Sequence, residues 1–509
     1  MQNSQRKTGV ILSYVLIFIN ILMAICYTPF MTRIMGQSEY GLYSLVSSII
    51  GYLTILDFGF GNAIIVYTAK YKKKNDLSSL NKLYGMFFVI YCIIACIAFI
   101  LGICLYLCSD LLFSASMTIA ELEKVKIMFL VLSFNLVLTF IFTIYSSLIT
   151  ANEKFTFQKV IALIRTILNP IVMIPLLLMG YRSITMVIVV TILNVLVLLC
   201  NYIYCRKRLN IKIKFSGFDK KILKEICAYS VFIFLNIIID KANWSLDQFI
   251  LGSVSGTVAV SVYSVASQFN TLYLNFSTAI SGVLLPKISN MIENNASDAD
   301  ISNEFIKTSR IQYYVLFLIV TGFVIFGKDV IILLFGNSYI NSYYVALLLM
   351  IPATIPLTQN VGISILQSKN LHKFRSIILF FIALINISLT VPLAKYYGSV
   401  GAAIGTAIAL IIGNIIIINL YYYFKAKINI KSYWHNLFIM TIKMCLPLLF
   451  IIVMIKYLSF GCIINLLVYI PLYVLLYSLC CYYLVMNNYE KGLINGLFGR
   501  VLKVLNRKK

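Results

Sequence analysis

Apolar residues fill this chain in long, nearly unbroken blocks, parted by short polar breaks. Blocks of about twenty or more recur from end to end, each long enough as a helix to cross about 30 Å of hydrocarbon. They lack the alternating ten-residue pattern of a membrane β-barrel. In lipid every backbone N–H and C=O needs a partner within its own segment, which leaves helices. The pattern predicts fourteen spans, near 10–33, 41–69, 83–108, 126–150, 158–180, 184–205, 226–250, 258–286, 311–335, 340–366, 375–395, 399–424, 437–457 and 462–485. The first block ends in "TRIMGQ" rather than at a small-residue cleavage site, so no cleavable signal is expected.

Composition agrees with an all-α integral membrane protein. Hydrophobic residues make up 61% and charged residues 12%, with a mean hydropathy of +0.93. Soluble domains carry about 45–50% apolar and about 25% charged residues. The net charge of +25 would suit nucleic acid, but the location of the charges excludes it. With an even number of spans both ends share one side, and that side holds about 32 of the 42 Lys and Arg. They sit at Arg6 and Lys7, in "AKYKKKND", in "CRKRLNIKIKFSGFDKKILKE", in "FKAKINIK" and in the tail "RVLKVLNRKK". This positive-inside asymmetry makes both termini cytoplasmic, with the basic clusters facing anionic membrane lipids.

Two parts of the chain match at an offset of 219 residues: "NYIYCRKRLNIK" (201–212) falls on "LYYYFKAKINIK" (420–431), and "NEKF" on "LHKF". Spans 1–6 and 7–12 then form two six-helix lobes in the same orientation, the parallel-repeat plan of many transporters. The expected divisions are an N-terminal lobe at 1–205, a basic amphipathic linker at 206–225 and a C-terminal lobe at 226–425. Two further transmembrane helices follow at 426–486, and a basic tail at 487–509.

Few ionisable residues lie within the apolar blocks. A charge at the centre of a span costs about 2.5–3.5 kcal/mol and normally faces a bundle interior or a wet cavity. Arg165, Lys241 and Arg33 are the candidate cations, and Asp57, Asp240 and Asp247 the candidate orienting or ion-coupling carboxylates. Asp57 and Arg165 both fall in the inner half of the first lobe, and a contact across a cavity is expected. Gly59 and Gly61 would allow close helix packing beside Asp57; the alternative is an Asp57 that hydrogen-bonds locally at a helix break. Lys443 is expected to snorkel to the cytoplasmic edge.

Gln268, Asn270, Gln359 and Asn360 are candidate polar lining, and Pro352 and Pro356, four residues apart, predict a hinge in span 10. Amides and cations suit a ligand rich in hydroxyls and bearing phosphate. The cysteines, among them Cys92, Cys96, Cys104 and Cys108, read as small buried hydrophobes. No Walker motif, soluble catalytic domain or metal constellation is evident, and His372 and His435 are placed in loops without a nucleophile. Neither an enzyme nor a cofactor is expected.

"LDFGFGNAIIVYTAKY", "LDQFILGSVSGTVAVSVYSVASQF" with "LLPKIS", "ILQSKNLHKFRS" and "YYGSVGAAIGTAIALIIGNIIIINLYYYFK" together resemble bacterial polysaccharide-export flippases. These are the Wzx-type repeat-unit flippases of the multidrug/oligosaccharidyl-lipid/polysaccharide exporter superfamily. The resemblance covers about residues 8–430. It implies a MATE-like pair of six-helix lobes around a cavity that opens to alternate sides of the plasma membrane. It implies a lipid-linked oligosaccharide substrate on undecaprenyl diphosphate, with lumenal cations at Arg165, Lys241 and Arg33. It also implies partners in the polysaccharide polymerase and chain-length machinery. One departure is Val66, where similar sequences often carry Arg. The competing readings are a lipid II flippase, a drug/cation antiporter using Asp57 or Asp240, and an O-antigen polymerase or ligase. The last is disfavoured by short outer loops nearly free of Arg.

Overall fold

The computed structural model describes residues 2–73, 76–211, 213, 223–226, 230, 234, 238, 241, 246–294, 296–369, 371–458 and 461–496. The regular elements among them are all helical. The first crossing is α1 (Gln2–Leu22), a π turn (Met23–Tyr27) and α2 (Thr28–Met35). The second is α3 (Gln37–Leu53), a 3-10 turn (Thr54–Asp57) and α4 (Phe60–Lys73). Then come α5 (Leu77–Phe113), α6 (Ile119–Ala151), α7 (Phe155–Leu178) and α8 (Ser183–Lys207). The later elements are α9 (Leu246–Val254), α10 (Gly256–Glu293), α11 (Asp298–Phe335), α12 (Asn341–Thr358) and α13 (Asn360–Ser368). They end with α14 (His372–Leu410), α15 (Ile418–Phe424), α16 (Ile430–Tyr457) and α17 (Cys462–Cys480).

Side chains close the tight turns between these helices. Asp76 accepts the Ser79 N–H at 2.9 Å to cap α5, and Thr118 with Glu121 forms a capping box on α6. Each satisfies backbone donors that would otherwise be orphaned at a helix start.

Eleven helices among the described residues are long and apolar enough to cross a membrane. Fourteen were expected, and the difference has identifiable sources. Span 7 falls mostly outside the described residues, and span 8 falls in α10, whose side chains are described only in part. Spans 11 and 12 run together as a 51-residue apolar stretch, Phe374–Phe424. At 1.5 Å per residue that is about 75 Å, too long for one crossing. It is broken at Gly398, whose φ of 56° only glycine adopts freely, where the sequence pattern places the turn between the two spans. The linker 206–225 also lies largely outside the described residues.

Contacts divide the chain into two units, Met1–Ser264 with Ile387–Ala402, and Val265–Asn386 with Ala403–Lys509. Lipid offers no hydrophobic drive between helices, so close packing and interhelical hydrogen bonds hold each unit. In the first unit Gly102 of α5 lies against Ser133 of α6, with no room for a Cβ. Asn194 of α8 donates to Asn135 (2.7 Å) and Thr139 (2.8 Å) of α6. In the second unit tyrosines tie α16 and α17 to α11. Tyr477 donates to the Tyr314 carbonyl at 2.8 Å, Tyr473 meets Thr321 at 2.6 Å, and Tyr313 meets Thr441 at 2.6 Å. Lys443 donates to the Leu484 carbonyl at 2.9 Å.

Two expectations are corrected here. Cys96, Cys104 and Cys108 are exposed rather than buried; Cys104 and Cys108 border an apolar pocket with Tyr52, Leu53 and Phe249, where a thiol is as tolerable as a methyl group. His435 lies within α16 and His372 begins α14, so neither is a loop residue.

Candidate functional site

The first unit encloses a cavity of about 600 Å³, within the range of small-molecule sites. Its wall comes from α1 and its π turn, α3, α6, α7 and α8. Arg165 is, among the described residues, the one charged side chain lining it, and no carboxylate does. Among the described residues Arg165 makes no hydrogen bond and no ion pair. Asn20, Tyr27, Tyr43, Gln158, Asn169 and Asn201 supply polar groups around it.

Local sequence explains how these groups reach one space. Arg165 and Asn169 are four residues apart on α7 and so share a helix face. Pro170 and Pro175 lie within the same helix, where each removes a backbone donor. The π turn at Met23–Tyr27 brings Tyr27 to the wall; such turns recur at functional sites. Some of the polar wall is already committed. Gln158 donates to the Ser146 carbonyl at 2.6 Å and accepts from Thr150 at 3.0 Å, and Thr166 donates to the Ala162 carbonyl at 2.9 Å. Two groups are not: the Tyr27 hydroxyl and Asn169 Oδ1 are buried without a hydrogen-bond partner among the described residues.

Asp57 does not line this cavity, and no ion pair joins it to Arg165 among the described residues. It ends the 3-10 turn at the break in span 2. Its carboxylate accepts the Tyr91 hydroxyl at 2.8 Å and the backbone N–H groups of Gly59 and Gly61. Phe58 and Gly59 take φ of 51° and 74°. Such a conformation costs a non-glycine residue about 1–2 kcal/mol, and the three hydrogen bonds help hold it. The local-capping alternative is therefore the geometry observed. Val66 is exposed and does not line the cavity either.

The other candidates are dispersed. Arg33 is exposed in the last turn of α2, where a cation complements the helix C-terminus. Lys241 is half-buried and helical, and Asp240 lies outside the described residues. Asp247 is 2% exposed and accepts the Tyr263 hydroxyl.

In the second unit Asn270 is buried and Gln268 half-buried on α10. The helix carrying Pro352 and Pro356 ends at Thr358, and α13 restarts at Asn360. Neighbouring side chains meet the groups freed there. Ser277 donates to the Leu357 carbonyl at 2.8 Å, Asn360 donates to Ser277 at 2.7 Å, and Gln359 donates to Asn419 at 2.7 Å. None of these residues lines the Arg165 cavity.

Two polar clusters escaped the sequence reading because their residues sit at span ends. In the first unit Glu39 accepts from Lys124 and Ser183, and Glu121 accepts from Ser38 at 2.5 Å and Thr257 at 2.8 Å. In the second, Arg310 of α11 donates to Glu490 at 2.6 and 2.9 Å, to Asn436 at 3.0 Å and to the Val485 carbonyl at 3.2 Å.

Comparison with known proteins follows the same lines. Residues 30–344 match the family described as "Polysaccharide biosynthesis protein". A curated relative, the "Putative O-antigen transporter" of Shigella flexneri, is 22% identical over 411 residues, 79% of this chain and 94% of its own. Among solved structures, lipid II flippase MurJ in an inward closed conformation superposes with a TM-score of 0.68 at 19% identity. It covers 94% of this chain and 99% of its own. An inward-facing multidrug resistance MATE family transporter gives 0.60 at 14% identity, over 76% of this chain and 95% of its own. At these identities the structures establish the fold alone.

Proposed function

This chain belongs to the polysaccharide biosynthesis protein family, and on that premise we propose what it carries. It is a multi-pass membrane flippase rather than an enzyme. Its cargo is an undecaprenyl-diphosphate-linked oligosaccharide repeat unit, moved by alternating access from the cytoplasmic to the outer leaflet of the bacterial plasma membrane, with both termini cytoplasmic. The observation that carries this reading is Arg165, a charge within a span, without a counter-ion among the described residues, on the wall of a 600 Å³ cavity. A membrane arginine is costly unless paired. A diphosphate would supply that pair bidentately, and only while substrate is present.

Arg33, at the end of the first span, is assigned to the outer exit, and Lys241 to a second cation along the path. Asp57 keeps the break in span 2 in shape beside the cavity-forming helices, and Asp240 and Asp247 remain candidates for ion coupling. The polyprenyl chain stays in lipid, against the apolar outer faces of the helices.

The test uses proteoliposomes containing lipid-linked oligosaccharide and the purified full chain. Sugar accessibility to an impermeant lectin should rise with the wild-type protein and not with Arg165→Ala. Transport of lipid II alone, or of an organic cation alone, would replace this reading with one of its rivals.

A further inference from the structure

Resting on that reading, we infer that Tyr27 and Asn169 form a sugar-reading subsite beside Arg165, which recognises hydroxyl or amide groups of the saccharide next to the diphosphate. Tyr27 is 9% exposed, and its hydroxyl, on a residue lining the cavity, is buried with no partner among the described residues. Asn169 Oδ1 is in the same position on the opposing helix. A buried polar atom left unmade costs about 1–3 kcal/mol, so two on one cavity wall point to a ligand that completes them.

The chemistry of the two atoms narrows that ligand. The Tyr27 phenol can donate and accept, whereas Asn169 Oδ1 can only accept. Ionised phosphate oxygens also only accept. Phosphate therefore pairs with Arg165 but offers no donor to Asn169 Oδ1. A sugar hydroxyl or an acetamido group both donates and accepts, so it can meet Asn169 Oδ1 and the Tyr27 hydroxyl together. The position of Asn169 fits this. It lies four residues from Arg165 on α7, about 6 Å along the helix axis, so a diphosphate held at Arg165 presents its attached sugar to Asn169 and Tyr27. Specificity follows, because a site built to hydrogen-bond a substrate group discriminates strongly against a ligand lacking it.

The experiment compares two probes on the full-length protein in lipid nanodiscs: undecaprenyl diphosphate without sugar, and the lipid-linked oligosaccharide extracted from the source strain. Wild-type protein should bind the glycosylated lipid about tenfold or more tightly than the bare one, as two neutral hydrogen bonds would give. Tyr27→Phe and Asn169→Leu should each narrow that gap about three- to tenfold, whereas Arg165→Ala should weaken binding of both lipids together. Thermal unfolding of each variant separates misfolding from loss of contact, and Tyr27→Phe removes a single oxygen. Equal wild-type affinity for the two lipids would overturn the subsite and leave the diphosphate reading standing. So would variants that weaken both lipids alike. Binding of neither lipid would overturn both.

Discussion

Arg165 and Arg310 each lie in a helix that crosses the membrane, and they meet the cost of a charge there in opposite ways. Arg310 is surrounded. Glu490 takes two of its N–H groups, Asn436 and the Val485 carbonyl take others, and the Tyr314 hydroxyl lies 3.1 Å away. The side chains of Arg310 and Glu490 are 11% and 4% exposed. Among the described residues Arg165 has no such company, and it lines a cavity where Tyr27 and Asn169 also carry atoms unpartnered there. A satisfied buried ion pair fixes structure, here joining the segment after α17 to α11 and α16. We read the cation that is unpaired among the described residues, beside orphaned polar atoms, as arranged for a ligand, and the contrast with Arg310 is what the proposed function rests on.

The largest expected effect breaks the pin. Glu490→Ala leaves Arg310 buried without its counter-ion, a change that typically costs about 3–5 kcal/mol. Thermal unfolding in detergent should show a clear loss, whereas Arg165→Ala should leave the melting temperature close to wild type. Equal melting losses from the two variants would erase the distinction drawn between them.

Next is transport. Arg165→Ala should abolish export with the protein still present in the membrane. Arg165→Lys should keep part of the activity if a point charge suffices and little if the planar fork is needed. Transport assays normalised to membrane-inserted protein decide between these.

A pH dependence sharpens the same contrast. Burial alone would push the Glu490 carboxyl up, but the Arg310 hydrogen bonds and the Asn487 N–H outweigh it and hold it below the usual carboxylate range. A carboxyl held low in the folded state contributes stability above its unfolded value of about 4.3. That contribution is lost as pH falls through the lower folded value. Wild-type stability should therefore decline steeply only in acid below about pH 4, and Glu490→Gln should be weaker at neutral pH with less of that decline.

The smallest effect concerns Asp57. Losing its cap on the span 2 break should cost about 1 kcal/mol. Asp57→Ala should then lower folded yield and export in proportion, and Tyr91→Phe should do so more weakly. Export falling far below yield would return Asp57 to the transport path.

Much of this architecture was legible in the hydrophobic pattern, because a lipid-crossing helix needs an apolar run that little else requires. Within the apolar stretch 374–424 the short run "YYGS" marks the place where Gly398 breaks the helical backbone. Arg165 is legible in the sequence as a cation too deep for easy snorkelling, and it lines a cavity within the first unit that Asp57 does not reach. Its partners were not legible. Asp57 was expected to face Arg165, but the residues after it, Phe58 and Gly59, turn the chain, and local hydrogen bonds claim the carboxylate. Tyr27 and Asn169 read as ordinary residues of apolar spans; only the π turn at Met23–Tyr27 and the spacing of Asn169 from Arg165 mark them. Arg310 and Glu490 were passed over because they are 180 residues apart, at the edges of spans, where charges are common.

The most direct test of the central claim uses a deletion strain with its upstream glycosyltransferases intact. Undecaprenyl-linked oligosaccharides are extracted, and the membrane face that holds them is determined. Complete repeat units should be trapped on the cytoplasmic face, released when the wild-type chain is restored, and still trapped when only Arg165→Ala is supplied. Normal delivery to the outer face without this protein would contradict the account.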